Sequence, residues 1–365
     1  MSRASAFASG PASGSGPASL AAAAAATAAA LLLLARPAAA QNLPIKATVW
    51  PLPTTFGALT GFDHSYHEDA TGRLFVSAKG VDQVLVLAGR GSFVGNISVH
   101  APQGLGVANG KLFVGSDEIG ILNVFDAATF APLARLNFSN APNAGEADDI
   151  VVAPNGDVLC GVGDDADGSD DPAALAVVDS SPLAVKAVVS SGGAHIEGFA
   201  LANGSSTDVM ASTPDKKVLL RIDAAARKVV ARFALSGEAT PLAWDSAGEV
   251  VMVATRKPAA FVVLDVSAAG AGKVVYSHEV ADDADDLHFD KDSGMVYVSG
   301  GGNKTSPGAI ACFHQDGGAA GSFSYLGSVS PAGKNSEYSA AKKTIWTTVP
   351  ATADAPAYIQ TYLTH

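Results

Sequence analysis

The chain is poor in cysteine, in charge and in basic residues, and each scarcity narrows what it can be. Only Cys160 and Cys312 occur in 365 residues, so a disulfide framework and a Cys/His metal site are both excluded. They fall in strand-like stretches of different repeat copies, far from the Cα separation of about 6 Å that a disulfide needs, and read as buried free thiols. Charged residues make up 16% of the chain and apolar ones 48%. With glycine and proline as punctuation, that composition suits short buried strands joined by tight turns. Twenty-three Lys and Arg stand against 35 Asp and Glu, a formal charge of −12, which argues against nucleic acid or an anionic membrane as partner. No Gly-rich phosphate loop, G-x-S-x-G or H-E-x-x-H is present. Serine hydrolases of that type, zinc proteases and nucleotide-driven enzymes therefore lose support.

The first 40 residues differ from the rest. A Ser/Ala/Gly-rich stretch with Arg3 leads to an apolar run from Leu20 to Ala35 and then to RPAAA before Gln41. This reads as a secretory signal with small residues at a cleavage site near Ala38–Ala40. A plastid-type transit signal or an uncleaved anchor are the alternatives, and an organelle lumen or a periplasm-like compartment the alternative location. Removing Arg3 and Arg36 takes the formal charge of the remainder from −12 to −14. No later stretch is long and apolar enough to span a bilayer. Triplets for N-glycosylation begin at Asn96, Asn137, Asn203 and Asn303, as a glycoprotein would carry.

From Phe62 onward one phrase recurs seven times. Its clearest copy is Ala284–Asp316, ADDLHFDKDSGMVYVSGGGNKTSPGAIACFHQD: an apolar strand, a tight turn, a second strand, a loop and a third strand. Aligned on the second strand, the copies step by 38 to 50 residues, the period of four-stranded propeller blades. The expected fold is all-β, a seven-bladed β-propeller of four-stranded antiparallel blades over residues 41–365. The last copy supplies only three strands, and the lone segment Lys46–Leu52 has no meander of its own. The strand around Val49 and Trp50 is therefore expected to complete the final blade and close the ring. Asp126, Asp179, Asp223 and Asp265 end third strands before small-residue turns, where an Asp carboxylate bonds a backbone N–H two residues on.

LFVSAKG, PQGLGV, KLFVGSD, ATRKPAAFVVLD, ADDLHFDKDSGMVYVSGGG and NSEYSAAKKTIWTTVP resemble the YVTN-repeat (YncE-type) propellers, from about Ala47 to Leu363. That family lies in a wider group with lactonase-like, quinoprotein-like and NirF-like propellers. The resemblance implies a secreted seven-bladed propeller with a ligand or partner site on one face, and no single reaction. The third copy departs from the pattern, with GVGDDADGSDDPA in place of a tighter loop.

In such a ring the blade-to-blade connections and the loops between second and third strands gather around the channel mouth. The connections bring Asp63, His64, Gln103, Asp148, Asp149, His195, Glu197, Thr240, Asp285, Asp286, Lys334, Asn335 and Glu337. The loops bring Lys79, Asp117, Glu118, Asp164–Asp171, Asp215, Lys216, Arg256, Lys257, Asn303 and Lys304. Carboxylates with imidazoles suit a hard cation or an acid/base pair; the bland alternative is strand-start turn formers and solvated loops. His195 and Glu197 share one strand face and form the candidate catalytic pair. His64, Gln103, Arg256, Lys257, Lys334 and Asn335 are candidate ligand-binding residues, with Arg256 and Lys257 as a cationic tip for a carboxylate or phosphate. Asp149, Glu197, Asp286 and Glu337 are candidate ligands for Ca²⁺ or another divalent cation. The DDADGSDD run fails the EF-hand pattern from Asp165, with Asp170 where Gly is needed and Ala176 where Glu is needed. The function expected is a ligand- or protein-binding module working through an acidic channel mouth. The alternatives are a divalent-metal-dependent lactonase-like hydrolase and, more weakly, a cofactor-binding or maturation factor.

Overall fold

A computed structural model describes residues 43–117, 120–138, 145–163, 173–192, 195–301, 308–316 and 322–365. The leader, the Asp164–Asp171 run, Glu118, Asn303 and Lys304 lie outside the described residues.

Strand β1 (Ile45–Pro51) comes first. Blade 1 follows as β2 (Ser65–Glu68), β3 (Arg73–Ala78), β4 (Gln83–Ala88) and β5 (Ser92–Ser98). Blade 2 is β6 (Pro102–Ala108), β7 (Lys111–Ser116), β8 (Ile121–Asp126) and β9 (Pro132–Asn137). Blade 3 is β10 (Glu146–Val152), β11 (Val158–Gly163), β12 (Ala174–Ser180) and β13 (Leu183–Ser190). Blade 4 is β14 (Gly198–Leu201), β15 (Asp208–Thr213), β16 (Val218–Asp223) and β17 (Lys228–Ala234). Blade 5 is β18 (Ala239–Asp245), β19 (Val250–Arg256), β20 (Ala259–Asp265) and β21 (Lys273–Glu279). Blade 6 is β22 (Ala284–Asp290), β23 (Met295–Gly300), β24 (Gly308–Gln315) and β25 (Phe323–Ala332). Blade 7 is β26 (Ser336–Ser339), β27 (Thr344–Val349) and β28 (Tyr358–Leu363), with β1 as its fourth strand. All pairings are antiparallel, and the inner strand of each blade packs on the next around one axis. The fold is thus a seven-bladed β-propeller, with no α-helix among the described residues.

The middle strands are buried on both faces, as their unbroken apolar runs require. What they bury is the gap between blades. One apolar cluster fills each of the seven blade-to-blade interfaces, such as Phe113, Val124, Ile150 and Cys160 between blades 2 and 3, or Tyr297, Cys312, Ile345 and Tyr362 between blades 6 and 7. The two cysteines lie in different interfaces and are free and buried.

Ring closure follows the expected latch. β1 pairs with β28 through Ile45↔Leu363 and Trp50↔Ile359, with a register shift between Lys46 and Val49. Side chains satisfy the backbone at that shift: Thr48 N–H donates to Thr361 Oγ1 at 2.9 Å, and Gln360 Nε2 donates to Thr48 O at 3.1 Å. Trp50 then turns into the cluster between blades 7 and 1, beside Trp346, Leu59 and Phe62. Gly91, at φ +88°, makes room for it, since a Cβ there would stand 2.4 Å from Trp50 Cγ.

Every outer strand of blades 1 to 6 carries an extra residue against its neighbour at one repeated position, Val94, Leu133, Lys186, Val230, Val275 and Leu326, and β25 has a second shift opposite Gly308–Ile310. A bulge at one repeated position increases twist and bends the edge strand, which limits edge-to-edge pairing. The third-strand aspartates act as expected. Asp126 accepts from the N–H of Ala128 at 3.0 Å and of Thr129 at 2.7 Å, Asp179 from Ser181 at 2.8 Å, Asp223 from Ala226 at 2.8 Å and Asp265 from Ser267 at 3.0 Å.

Candidate functional site at the axial mouth

The inner strands break register where polar residues begin. In blade 2 the pairs Pro102↔Ser116 and Leu105↔Val114 leave Gln103 and Gly104 opposite one residue; in blade 3 Ala147↔Val162 and Ile150↔Cys160 leave Asp148 and Asp149 opposite Gly161. Blade 5 does the same at Thr240 and Pro241, and blade 6 at Asp285. Adjacent residues of a regular strand point to opposite faces, whereas at a bulge both can turn to one side. This accounts for the two Asp-Asp pairs, which present one carboxylate above the other along the axis.

Small residues on the middle strands allow the blades to approach this closely. Ser77 and Ser212 donate to the next blade's inner-strand carbonyls, Gln103 O at 2.6 Å and Thr240 O at 2.7 Å. At the equivalent position Gly115 leaves space for Ala147 O, which a Cβ would meet at 2.3 Å.

Two adjoining cavities occupy the axis. The upper, of about 370 Å³, is lined from all seven blades by Asp63, His64, Lys79, Gln103, Asp117, Glu146, Asp148, His195, Glu197, Thr240, Arg256, Asp285 and Lys334. The lower, of about 190 Å³, shares His64, Glu197 and Asp285 and continues past Asp149, Asp286, His288 and Glu337 between the apolar walls of Tyr66, Leu105, Phe199, Leu242 and Leu287. A larger-walled groove beside the latch, between Leu52–Leu59 and Ala351–Ala357, carries few polar side chains and no ionic cluster. We therefore place the candidate site on the axis.

The upper cavity mixes charges where an acidic mouth was expected. Six carboxylates face Lys79, Arg256 and Lys334 and two imidazoles. Asp285 lies between Arg256 Nη2, in direct contact, and Lys334 Nζ at 2.5 Å, and it accepts from Asn335 Nδ2 at 3.2 Å. Arg256 Nη1 also reaches Glu197 at 2.5 Å. His195 Nε2 sits 2.9 Å from Asp148 and 3.7 Å from Glu146, and its Nδ1 has no hydrogen-bond partner among the described residues. Gln103 bridges Lys79 Nζ, at 2.9 Å, and Glu146. His64 stands among Asp286 at 3.4 Å, Asp63 at 3.6 Å and Asp148 at 3.8 Å.

Burial dominates the titration of these groups. It pushes Asp63 and Asp149 up to about 6, and Glu146 and Glu197 up to about 7, with the Asp148 charge adding to each. Glu337 rises well above the usual carboxylate range through burial and Asp286. Asp285 and Asp148 go the other way: burial opposes their ionisation, but Lys334 with Arg256, and His195 with His64, hold them below the usual range. Burial disfavours charge on the imidazoles too, yet the surrounding carboxylates raise His195 to about 10 and His64 well above its ordinary value.

The candidate pair His195 and Glu197 lines one cavity, but the two side chains take different partners, Asp148 and Arg256. His64, Gln103, Arg256 and Lys334 converge on the mouth, and Asn335 supports Asp285 from behind. Lys257 does not line it. In the tight TRKPA turn it points opposite to Arg256, is 79% exposed and pairs with Glu238 at 3.2 Å. The four expected cation ligands are likewise not one ligand shell: Glu197 is held by Arg256, Asp286 accepts the Ser336 N–H at 2.6 Å, and Asp149 accepts the Phe199 N–H at 3.3 Å. Among the described residues, ligand-type atoms come within 4.8 Å of one another in two other sets, Asp63–His64–Asp148 and Glu146–Asp148–His195. Glu146 escaped the sequence reading, although its spacing of two from Asp148 is the same signal that singled out His195 and Glu197.

No protein-family model matches the chain, and no curated protein matches it. Among solved structures, a chain of the crystal structure of a mitotic checkpoint complex superposes with a TM-score of 0.67 at 11% identity, over 100% of this chain and 99% of that one. With 1106 solved chains matching, such similarity establishes the propeller fold and does not discriminate among functions.

Proposed function

We propose that this protein is a recognition module that takes a ligand, or a segment of a partner protein, at the axial mouth. The observation that carries the reading is convergence. All seven blades send a side chain to one cavity, and a rigid ring of repeats provides a fixed frame for such a constellation. The propeller fold suits protein binding. The YVTN-type resemblance supports the same reading and, with the leader, a secreted protein whose propeller occupies residues 41–365. The test uses the mouth rim, where side chains are part-exposed. Lys79 and Asp117 are 33% and 46% exposed and pair at 3.3 Å. A Lys79→Gln, Asp117→Asn variant should melt like the parent and lose crosslinked partners or retained ligands, read by mass spectrometry of the secreted protein. An unchanged set of captured species would sink the proposal.

A metal-dependent hydrolase of lactonase type is the second reading, favoured by the way Asp148 is shared between two sets of ligand-type atoms. Asp63, His64, Glu146, Asp148 and His195 would hold the cation, which would polarise a lactone carbonyl. Opposing it, Asp148 already has His195 as its partner, 2.9 Å away. Metal analysis of the purified protein, with melting before and after chelator and after calcium is restored, separates the two. A near-stoichiometric ion whose removal lowers the melting point supports the hydrolase, and no metal with no shift discards it.

A further inference from the structure

The lower axial cavity differs from the mouth in how its charges are met. Asp285 and Glu197 at its upper edge have Arg256, and Asp286 has His64. Asp149 and Glu337, farther along the same cavity, make no ion pair among the described residues. Asp149 has the Phe199 N–H at 3.3 Å, and Glu337 has the His67 N–H. His288, the other ionisable group facing this space, spends its Nε2 on Ser336 Oγ at 3.0 Å. The walls around the two carboxylates are Tyr66, Phe199, Leu105, Leu242 and Leu287.

Two carboxylates outside any ion pair, with His64 of the same cavity turned to Asp286, inside an aromatic and aliphatic sleeve suit an alkylammonium. The carboxylates accept its N–H bonds, ring faces attract its charge, and the aliphatic wall covers its methylenes. Mouth and sleeve adjoin, and the 190 Å³ of the lower space admits a narrow chain rather than a bulky ring. We propose that the lower cavity binds a primary alkylammonium group that enters through the mouth, supplied by a free aliphatic diamine or by a lysine side chain. This rests on the mouth being the recognition site and names the chemistry it would take.

The test is calorimetric titration of the full chain with three probes: 1,5-diaminopentane, Nα-acetyl-lysine amide, and butyramide as a neutral control. Saturable binding of an ammonium probe, with none of the neutral one, is expected. Asp149→Asn should weaken it about tenfold or more, as the loss of a charged hydrogen bond implies. Glu337→Gln, at a separate strand, guards against a folding artefact at Asp149, and both variants are checked by melting. Preference for diaminopentane identifies a free amine, and preference for the lysine amide identifies a side chain. Equal response to butyramide, no response to either amine, or amine binding unchanged in both variants overturns the proposal. If amines fail while the Lys79→Gln, Asp117→Asn variant still loses its captured species, the mouth remains the recognition site and only the ammonium assignment falls.

Discussion

Aspartates at the third-strand ends and aspartates on the axis are the same side chain in opposite situations. Asp126 and Asp179 are half-buried at surface turns, accept backbone N–H bonds, and titrate below the usual carboxylate range because those bonds favour the charged form. Asp63 and Asp149 line the axial cavities, and desolvation there pushes both up to about 6, because protein donors do not replace the water withdrawn from them. The first set stabilises the turn after the third strand in blades 2 to 5. The second holds charge that the fold itself does not fully compensate, which is the mark of a site kept for something else.

The sharpest way to break this division is to attack the frame alone. Trp50→Ala removes the latch side chain from the cluster between blades 7 and 1 and should cost about 3–5 kcal/mol, read from urea unfolding. Ligand capture by the fraction still folded should be unchanged. A loss below about 1 kcal/mol would mean that the β1–β28 seam is not what closes the ring.

Next comes the charge network. Arg256→Gln leaves Asp285 with Lys334 only and Glu197 with no cation, and should cost about 1–3 kcal/mol, less than a fully buried pair because Arg256 is 26% exposed. Restoring charge with Lys should recover only part of it, since the guanidinium fork reaches both carboxylates at once. An Arg256→Gln variant as stable as the parent would show that the mouth charges are solvated.

The comparison also fixes how stability depends on pH. Glu146, Glu197, Asp63 and Asp149 have folded pKa values raised above those of the unfolded chain, so the folded state binds more protons between about pH 4 and 7 and stability falls as pH rises through that window. His195, raised to about 10, adds stability that is full below about pH 6.5 and is lost as pH climbs toward 10. These groups face one another and Lys79, Arg256, Lys334, His64, Asp148, Asp285, Asp286 and Glu337. Melting temperature should therefore rise as pH is lowered from 9 to about 5. Below about pH 4 it should fall, as Asp148, Asp285 and Asp290, whose pKa is depressed to about 2 by Lys343 and its hydrogen bonds despite burial, become protonated. A curve flat between pH 5 and 8 would contradict the burial of the axial carboxylates.

Smallest should be the repeat's own devices. Ser77→Ala removes one bond to Gln103 O and should cost about 1 kcal/mol, and Asp126→Ala, at an exposed turn, less than that. Chemical denaturation of both variants ranks them against Arg256→Gln, and a reversed order would make the turns more important than the axis.

Much of the frame was legible before any coordinates. Apolar runs with turns between them, repeated seven times, fix the strands, and a last copy lacking one strand calls for β1. Much of the mouth lining followed from topology, as with Lys79, Arg256 and Lys334, while Glu146 was missed and Lys257 does not reach it. What the sequence did not carry was the bulge at Asp148 and Asp149, because strict alternation sends one of the two away from the axis. Nor did it carry the pairing that divides the carboxylates into compensated and uncompensated ones, since Arg256 meets Asp285 only across the packing of blade 5 on blade 6. Lys257, beside Arg256 in sequence, lies in the turn after β19 ends and stays exposed beside Glu238.

The most direct measurement is a ¹³C-carboxyl titration of the full chain with labelled aspartate, assigned with Asp149→Asn and Asp126→Asn. The Asp149 resonance should titrate near pH 6 and that of Asp126 below its ordinary value. If both titrate together in the ordinary carboxylate range, the axis holds no uncompensated charge and the proposed site loses its basis.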